Sequence, residues 1–370
     1  MPIAGQLPEA ARAALVATAL LRLGSDTKAA RIFRESIQPT LDTPAAVERA
    51  PEHLAALLGL AGASLSDGLA RARQRAARAL ADSTRLGLHV CSGLDTSYPF
   101  LLSEIPDPPI ALWHSCDPEL LSRPAVAIVG SRRAGPAGLE TARRLARDLA
   151  RAGLVVVSGL ARGIDAAAHT GALEGGGATL AVLGNGLDVV YPREHRHLAQ
   201  DVRQTGGLVS ELPPGTPPLP HHFPLRNRLI SGLSRAVVVV EASEKSGSLI
   251  TARLALEQGR DVLAVPGNVV SGCHRGCHAL IKDGARLVEN VEDILDELQW
   301  TSRDSGQNAA GKARQDNELL SSMRPGEPVS VDDLAGRTGR QAAAILADLG
   351  RLEVDGLVAR TGGGLFTRLD

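Results

Sequence analysis

The feature that most constrains the fold of this chain is a series of short apolar runs between residues 125 and 265. The runs are Ala125–Val129, Leu154–Val157, Thr179–Leu183, Ala236–Val240 and Asp261–Val265. Helix-forming stretches, such as Gly138–Arg151 and Leu249–Gln258, separate several of them. Strands that are buried on both faces and alternate with helices are typical of a parallel sheet. The runs therefore predict an α/β core.

Each apolar run ends in a polar turn. The turns are Gly130-Ser131-Arg132, Ser158-Gly159, Gly184-Asn185-Gly186, Glu241-Ala242-Ser243 and Pro266-Gly267. In open α/β sheets, ligands bind outside the carboxyl ends of the strands. We therefore expect all of the candidate binding loops to lie at one edge of the sheet.

The segments that flank the runs differ from them in composition. Residues 1–85 are rich in Ala and Leu with charges at helical spacing, which indicates a small helical domain. Proline interrupts helices, so the Pro-rich segment Tyr98–Trp113 predicts an extended connection. Residues 301–316 are polar, rich in Gly, Ala and Ser and without periodicity, as in flexible linkers.

The last segment, residues 317–370, has the pattern of a compact module. It predicts helices near its start and over about 331–338 and 341–355, followed by two strands around a Gly-rich turn. A helix-turn-helix followed by a β-wing indicates a winged helix. We therefore divide the chain into a helical domain (1–85), an α/β domain (86–298), a linker (299–316) and a winged-helix domain (317–370).

Composition excludes several classes of protein. The formal net charge of −1 excludes a strongly basic protein of the histone type but not a local basic cleft. Four cysteines in 370 residues do not make a disulfide scaffold. No apolar run reaches the ~18 residues that a membrane helix needs, so we expect no membrane insertion and a cytoplasmic location.

The loop after the first apolar run has features of an anion site. It follows a strand, opens a helix and contains glycines that let backbone N–H groups approach an anion. Arg132 adds a guanidinium suited to phosphate. The spacing is neither the dinucleotide fingerprint nor a P-loop, so no cofactor is implied. A purely structural turn is the alternative interpretation.

Two further segments carry groups that suit a polyanion. Arg226, Asn227 and Arg228 follow Phe223, and aromatic residues make up only 2% of the chain. Arginines beside a ring that stacks on bases are the minimal equipment for single-stranded nucleic acid. Ser246-Gly247-Ser248 opens a second helix, with Lys245 beside it. The alternatives are a core role for Phe223 and plain helix capping by the serines.

Other polar clusters give weaker signals. Asp165 and His169 share a helical face, and we interpret them as capping and packing residues rather than an acid–base pair. The segment Cys273–His278 does not have the spacing of a standard zinc site. We therefore expect neither a bound metal nor a catalytic residue set.

An ordered series of motifs resembles the DNA-processing protein A (DprA/Smf) family. The motifs are Val129–Arg132, Ser158–His169, Ser210-Glu211, Phe223–Ser234, Glu241-Ala242, Ser246–Ala252 and Pro266-Gly267. They cover roughly residues 95–290. The resemblance implies an extended Rossmann-like sheet between a small helical domain of SAM or HhH type and a winged helix.

The resemblance also implies a function. Members of this family bind and protect incoming single-stranded DNA during natural transformation, help to load the RecA recombinase, form homodimers and have no catalytic turnover. The positions that match the DNA site are Gly130, Ser131, Arg132, Phe223, Arg226, Asn227, Arg228, Ser246, Gly247 and Ser248. Lys245 is added to this site on its charge alone.

The competing hypotheses are a nucleotide-binding hydrolase and a nucleotide sensor on a related Rossmann-like fold. Such hydrolases need a glutamate after a Gly-rich turn, and the turn at 246–251 has none in register. Glu211 and Glu241 are the candidate substitutes for this carboxylate. In the winged-helix segment acidic residues outnumber basic ones, which favours a protein contact over a tight grip on duplex DNA.

Overall fold

The protein consists of two compact units, Met1–Leu298 and Gln299–Asp370. A computed structural model describes residues 8–23, 32–41, 43–59, 62–300, 318–323, 326–338, 342–354, 357–361 and 364–369. Most of the predicted linker at 299–316 lies outside the described residues. Within these ranges, no helix combines the length and the apolar character needed to cross a membrane.

A nine-stranded sheet forms the centre of the first unit. Its strands are β1 (His89–Ser92), β2 (Ala111–His114), β3 (Ala125–Val129), β4 (Val155–Ser158), β5 (Thr179–Val182), β6 (Gly207–Ser210), β7 (Ala236–Val239), β8 (Asp261–Ala264) and β9 (Arg286–Leu287). Their spatial order is β1-β2-β6-β5-β4-β3-β7-β8-β9. Along this spatial order, each pair of neighbours from β6 through β5, β4, β3, β7 and β8 to β9 is parallel. The strand β2 pairs antiparallel with β1 and with β6. Successive strands are therefore added outward from β3, first β4, β5 and β6 on one side and then β7, β8 and β9 on the other.

The five strands predicted from the apolar runs are confirmed to within about one residue at each end. Four further strands of the sheet, β1, β2, β6 and β9, carry weaker signals. The strand β2 lies inside the Pro-rich segment that predicted only an extended connection, and β6 begins with a glycine. Both become strands because they pair with neighbours, a long-range condition that local pattern does not report.

Helices connect and cover the strands. The helices of the first unit are α1 (Glu9–Leu23), α2 (Pro44–Glu48), α3 (Ala50–Leu57), α4 (Gly62–Arg85), α5 (Phe100–Ser103), α6 (Pro136–Arg151), α7 (Ile164–Glu174), α8 (Arg196–Thr205), α9 (His222–Gly232), α10 (Ser248–Glu257), α11 (Arg275–Lys282) and α12 (Val291–Glu297). Short π or 3₁₀ turns lie at Phe33–Ile37, Gln38–Thr40, Pro118–Ser122 and Arg193–His195. Alternate β3 residues, Ala125 and Ala127, pack in one cluster with Leu229 of α9 and Ala252 of α10. The other β3 residues point to the opposite face because side chains alternate along a strand.

The helices before residue 86 pack directly on the edge of the sheet. Leu15, Leu54 and Ala76 belong to the same buried cluster as Trp113 of β2 and Leu208 of β6. The helical segment and the sheet therefore share one hydrophobic core. Whether residues 1–85 form a separate domain of SAM or HhH type stays a prediction.

The second unit contains three helices and a small sheet within the described residues. Its elements are α13 (Glu318–Ser321), β10 (Pro328–Val329), α14 (Val331–Thr338), α15 (Ala342–Val354), β11 (Val358–Thr361) and β12 (Leu365–Arg368). The sheet order is β10-β12-β11, and all pairs are antiparallel. Leu334, Ile345 and Phe366 are buried in its core. The two strands after α15 form the predicted wing.

One hydrogen bond between α4 and the sheet provides a test of this packing. Trp113 is fully buried, and its indole N–H donates to Ser83 Oγ at 3.1 Å. Ser83→Ala leaves that buried donor without its acceptor, which costs about 1–3 kcal/mol. We expect urea unfolding followed by tryptophan fluorescence to show this loss. The exposed neighbour in the same helix provides the control Thr84→Ala, and equal effects of both substitutions would contradict the assignment.

Candidate nucleic-acid interface

A cleft of about 370 Å³ lies at the carboxyl ends of β3 and β7. These neighbouring strands are the point at which the winding of the sheet reverses. The loops that follow β3 and β7 diverge there because they lead to helices that belong to opposite halves of the sheet. Open α/β sheets bind their ligands at such a switch point.

Most of the residues that the sequence singled out come together in this cleft. Those that line it are Gly130, Ser131, Arg132, Phe223, Arg226, Asn227, Ser246, Gly247 and Ser248. Arg228 and Lys245 are not among the lining residues. Arg133 and Asp165, which were not assigned to the site, also line it.

Glu241 holds the two halves of the cleft together. Its backbone carbonyl accepts a hydrogen bond from Ser131 N–H at 2.6 Å, and its carboxylate Oε2 accepts one from Gly135 N–H at 3.1 Å. Only 3% of Glu241 is exposed. A negative group at the start of a helix interacts favourably with the helix dipole. The start of α6, which the sequence offered to an external anion, is therefore occupied by a carboxylate of the protein itself.

Close packing around this loop depends on glycines. A Cβ atom added to Gly130 would lie 2.6 Å from Ile164 Cγ1, and one added to Gly138 would lie 2.4 Å from Glu241 Oε2. Gly163 adopts a φ of 75°, and its added Cβ would lie 2.2 Å from the Ser131 carbonyl oxygen. These contacts bring the turn after β4 directly against the loop after β3.

Arg226 is a buried cation in the wall of the cleft. Its Nη1 donates to the carbonyl oxygen of Gly159 at 2.8 Å and also to that of Val182. Its Nε has no hydrogen-bond partner among the described residues. Burial lowers the pKa of Arg226 to about 10, and the nearby Asp165 carboxylate opposes this shift. The guanidinium therefore remains charged at neutral pH.

Arg228 has a different environment from Arg226. Its Nη2 donates to both carboxylate oxygens of Glu211, at 2.8 and 2.7 Å, and its Nε donates to Asp107 at 3.1 Å. Its side chain is only 9% exposed. These ion pairs attach α9 to the segments before β2 and after β6. In this structure Arg228 is positioned to orient α9 rather than to reach a ligand in the cleft.

Arg132 and Phe223 form the open rim of the cleft. The Arg132 Cζ atom lies 5.8 Å from the centre of the Phe223 ring, which is a cation–π distance. Arg132 is exposed and has no ion pair with another described residue. Tyr191 also packs against Phe223, with 5.4 Å between ring centres. The local sequence around Tyr191 contains nothing that predicts this neighbour.

The loop before α10 supplies hydroxyl groups to the cleft. The hydroxyls of Ser246 and Ser248 hydrogen-bond to each other at 2.7 Å, and Gly247 is the residue before α10 begins. Lys245 is exposed beside this loop. The N-cap of α10 is Gly247 rather than either serine, and both serines line the cleft.

Asp165 and His169 have structural partners in the fold. Asp165 accepts hydrogen bonds from the N–H groups of Gly159 and Ala161, and burial raises the pKa of its carboxyl group. His169 pairs with Thr179 Oγ1 at 2.7 Å, and burial lowers its pKa to about 3. The two side chains therefore do not form a proton-transfer pair. Across the described part of the chain, no group of three His, Cys, Asp or Glu side chains is arranged to hold a metal.

A large part of the chain matches a known protein family. Residues 89–299 match the family of DNA recombination-mediator protein A, and residues 303–364 match the DprA winged-helix domain. The chain belongs to the DprA/Smf family. DNA processing protein DprA of Streptococcus pneumoniae is 47% identical over 207 residues, which cover 56% of this chain and 73% of that protein. Protein Smf of Escherichia coli is 43% identical over 282 residues, which cover 74% of this chain and 75% of that protein.

Two solved structures of this family resemble the protein. The X-ray structure of DprA from Streptococcus pneumoniae has a TM-score of 0.63 at 36% identity and covers 78% of this chain and 95% of that chain. DprA from Helicobacter pylori, described for its single-stranded DNA binding mode, has a TM-score of 0.52 at 31% identity. It covers 57% of this chain and 95% of that chain. The predicted Rossmann-like sheet with a winged helix is confirmed, as is the predicted family.

The contact between Gly138 and Glu241 can be tested by one methyl group. Alanine normally stabilises a helix relative to glycine by about 1 kcal/mol, but Gly138→Ala drives the methyl into the buried carboxylate. We expect a loss of about 1–3 kcal/mol, the usual cost of overpacking. Calorimetry of the full chain measures it. The control is Gly336→Ala in α14, where an added Cβ would have no described atom within 4 Å outside its own stretch of helix. This substitution should not lower the stability of the protein.

Proposed function

We propose that this protein binds single-stranded DNA in the cleft at the carboxyl ends of β3 and β7, protects the strand and helps to load the RecA recombinase on it during natural transformation. The observation that carries the proposal is the composition of the cleft. It combines the exposed Arg132, the buried cation of Arg226 and the ring of Phe223. Cations for phosphates and a ring for bases suit a strand whose bases are unpaired.

The family relationship supports the same proposal. The Helicobacter pylori relative is described for binding single-stranded DNA, and its structure resembles 57% of the present chain. The proposed contact residues are those named from the sequence, with one difference in role. We assign Arg228 to the orientation of α9, because Glu211 and Asp107 occupy its guanidinium.

The alternative of a nucleotide-cleaving enzyme lacks a suitable carboxylate. Glu211 is bound to Arg228, and Glu241 is buried against the start of α6. Asp165 does line the cleft, but it accepts two backbone N–H groups and lies buried. A binding protein without catalytic turnover is therefore the hypothesis that these contacts favour.

Further parts of the proposal concern partners. We propose that the protein acts as a homodimer in the cytoplasm and hands the bound strand to RecA. The acidic balance of the winged-helix segment favours a protein contact for that module. No bound cofactor or metal ion forms part of the proposal.

The decisive experiment is fluorescence anisotropy with labelled oligonucleotides. Single- and double-stranded DNA of increasing length would be titrated over a salt series, with mononucleotides as competitors. We expect salt-sensitive binding that prefers single strands and increases with length. Weak binding to every oligonucleotide, or tight binding and cleavage of mononucleotides, would overturn the proposal in favour of the nucleotide-binding alternatives.

Two arginine substitutions separate strand contact from structural support. Arg132→Ala removes one phosphate contact, so affinity should fall and the slope of log affinity against log salt should flatten by about 0.7. Arg228→Ala leaves Glu211 and Asp107 without their shared arginine and should lower stability by about 3 kcal/mol. Below its unfolding temperature, this second variant should keep the salt slope of the wild type. The opposite pattern in the two variants would contradict these roles.

A further inference from the structure

Tyr191 is an exposed aromatic residue that no part of the sequence assignment explains. It lies in the connection between β5 and α8, and 41% of its surface is exposed. Large apolar side chains on a surface often mark a binding site when they sit beside other functional groups. Tyr191 packs against Phe223, a residue that lines the cleft.

The Phe223 ring by itself offers limited space for a base. One of its neighbours is the Arg132 guanidinium, which lies over the ring at 5.8 Å from its centre. Gly184 approaches the ring edge so closely that a Cβ there would lie 3.2 Å from Phe223 Cδ1. The ring is therefore half-buried between neighbours, whereas the adjacent Tyr191 ring is more exposed to solvent.

The segment that carries Tyr191 is fixed to the edge of the cleft. His195 Nδ1 hydrogen-bonds to the Leu160 carbonyl oxygen at 2.9 Å, and Glu194 pairs with Arg162 at 2.5 Å. Both partners lie in the turn after β4, which packs on the loop of Arg132. The backbone beside Tyr191 is thus anchored before any ligand arrives, which reduces the entropy lost on binding.

We propose that Tyr191 is a second base-stacking residue, which extends the surface of Arg132 and Phe223 beyond the cleft so that successive bases of one strand stack along it. This inference rests on the proposed single-stranded DNA binding and names an additional contact for it. Stacking on an aromatic ring tolerates every base because each base has a π-face. The extended surface therefore suits a strand of mixed sequence rather than a single nucleotide.

The test compares two strands with the same phosphates. One is labelled oligo-dT, and the other has the same length but carries abasic positions throughout. Tyr191→Ala should weaken oligo-dT binding about 5- to 150-fold, the range for loss of one stacked base, and should leave the abasic strand nearly unchanged. Tyr191→Phe keeps the ring and should bind oligo-dT like the wild type. Phe223→Ala should show the same dependence on bases.

The matched control is Phe100→Ala, since Phe100 is another strongly exposed ring but, unlike Tyr191, has no ring contact with Phe223 among the described residues. It should not change binding to either strand. If Tyr191→Ala lowers thermal stability, Tyr191→Leu replaces the ring with an apolar side chain and should show the same selective loss. Equal losses on both strands, or no loss on oligo-dT, would overturn the role of Tyr191. Failure of the wild type to bind oligo-dT would instead overturn the proposed function.

Discussion

The cleft depends on a single buried carboxylate at the end of β7. Glu241 joins the two loops of the switch point, because its carbonyl holds Ser131 and its side chain holds Gly135. Burial of a charged group is costly without hydrogen-bond donors, and the start of α6 supplies one together with a favourable dipole. Because Ser131 and Gly135 flank Arg132, this arrangement fixes the position of the backbone that carries Arg132. A side chain at position 138, in the first turn of α6, would meet this carboxylate, and one at position 130 in the loop would meet Ile164.

Two arginines that are two residues apart on α9, and therefore on nearly opposite sides of the helix, have different electrostatic roles. Arg226 is bound to the carbonyl oxygens at the ends of β4 and β5, and its Nε, in the wall of the cleft, has no hydrogen-bond partner in the described part of the chain. Arg228 is neutralised by Glu211 and Asp107 and secures the helix. A preorganised cation loses little conformational freedom when a phosphate binds. The same helix carries Phe223 near its start, so its orientation decides where the ring lies.

How well the sequence predicted each strand depended on how the burial of that strand appears in its local sequence. Central strands such as β3 and β7 are buried on both faces, so each appears in the sequence as an uninterrupted apolar run. Two other internal strands, β2 and β6, were not visible in this way. The strand β2 follows three prolines closely and becomes regular only through pairing with β1 and β6. Glycine at the start of β6 weakened its local signal in the same manner.

Local pattern alone was enough to assign the parallel sheet, the winged helix and the loops that gather at one sheet edge. Because the strands are parallel, the glycine-containing turns that follow them all lie at the carboxyl ends of the strands, on the same edge of the sheet. Long-range packing settled which polar residues face the cleft and which support it. Arg226 and Arg228 look equivalent in the sequence, but one meets carbonyl oxygens and the other meets carboxylates from distant segments. The neighbours of Tyr191 and Glu241 likewise come from remote parts of the chain, so only the folded structure reveals their roles.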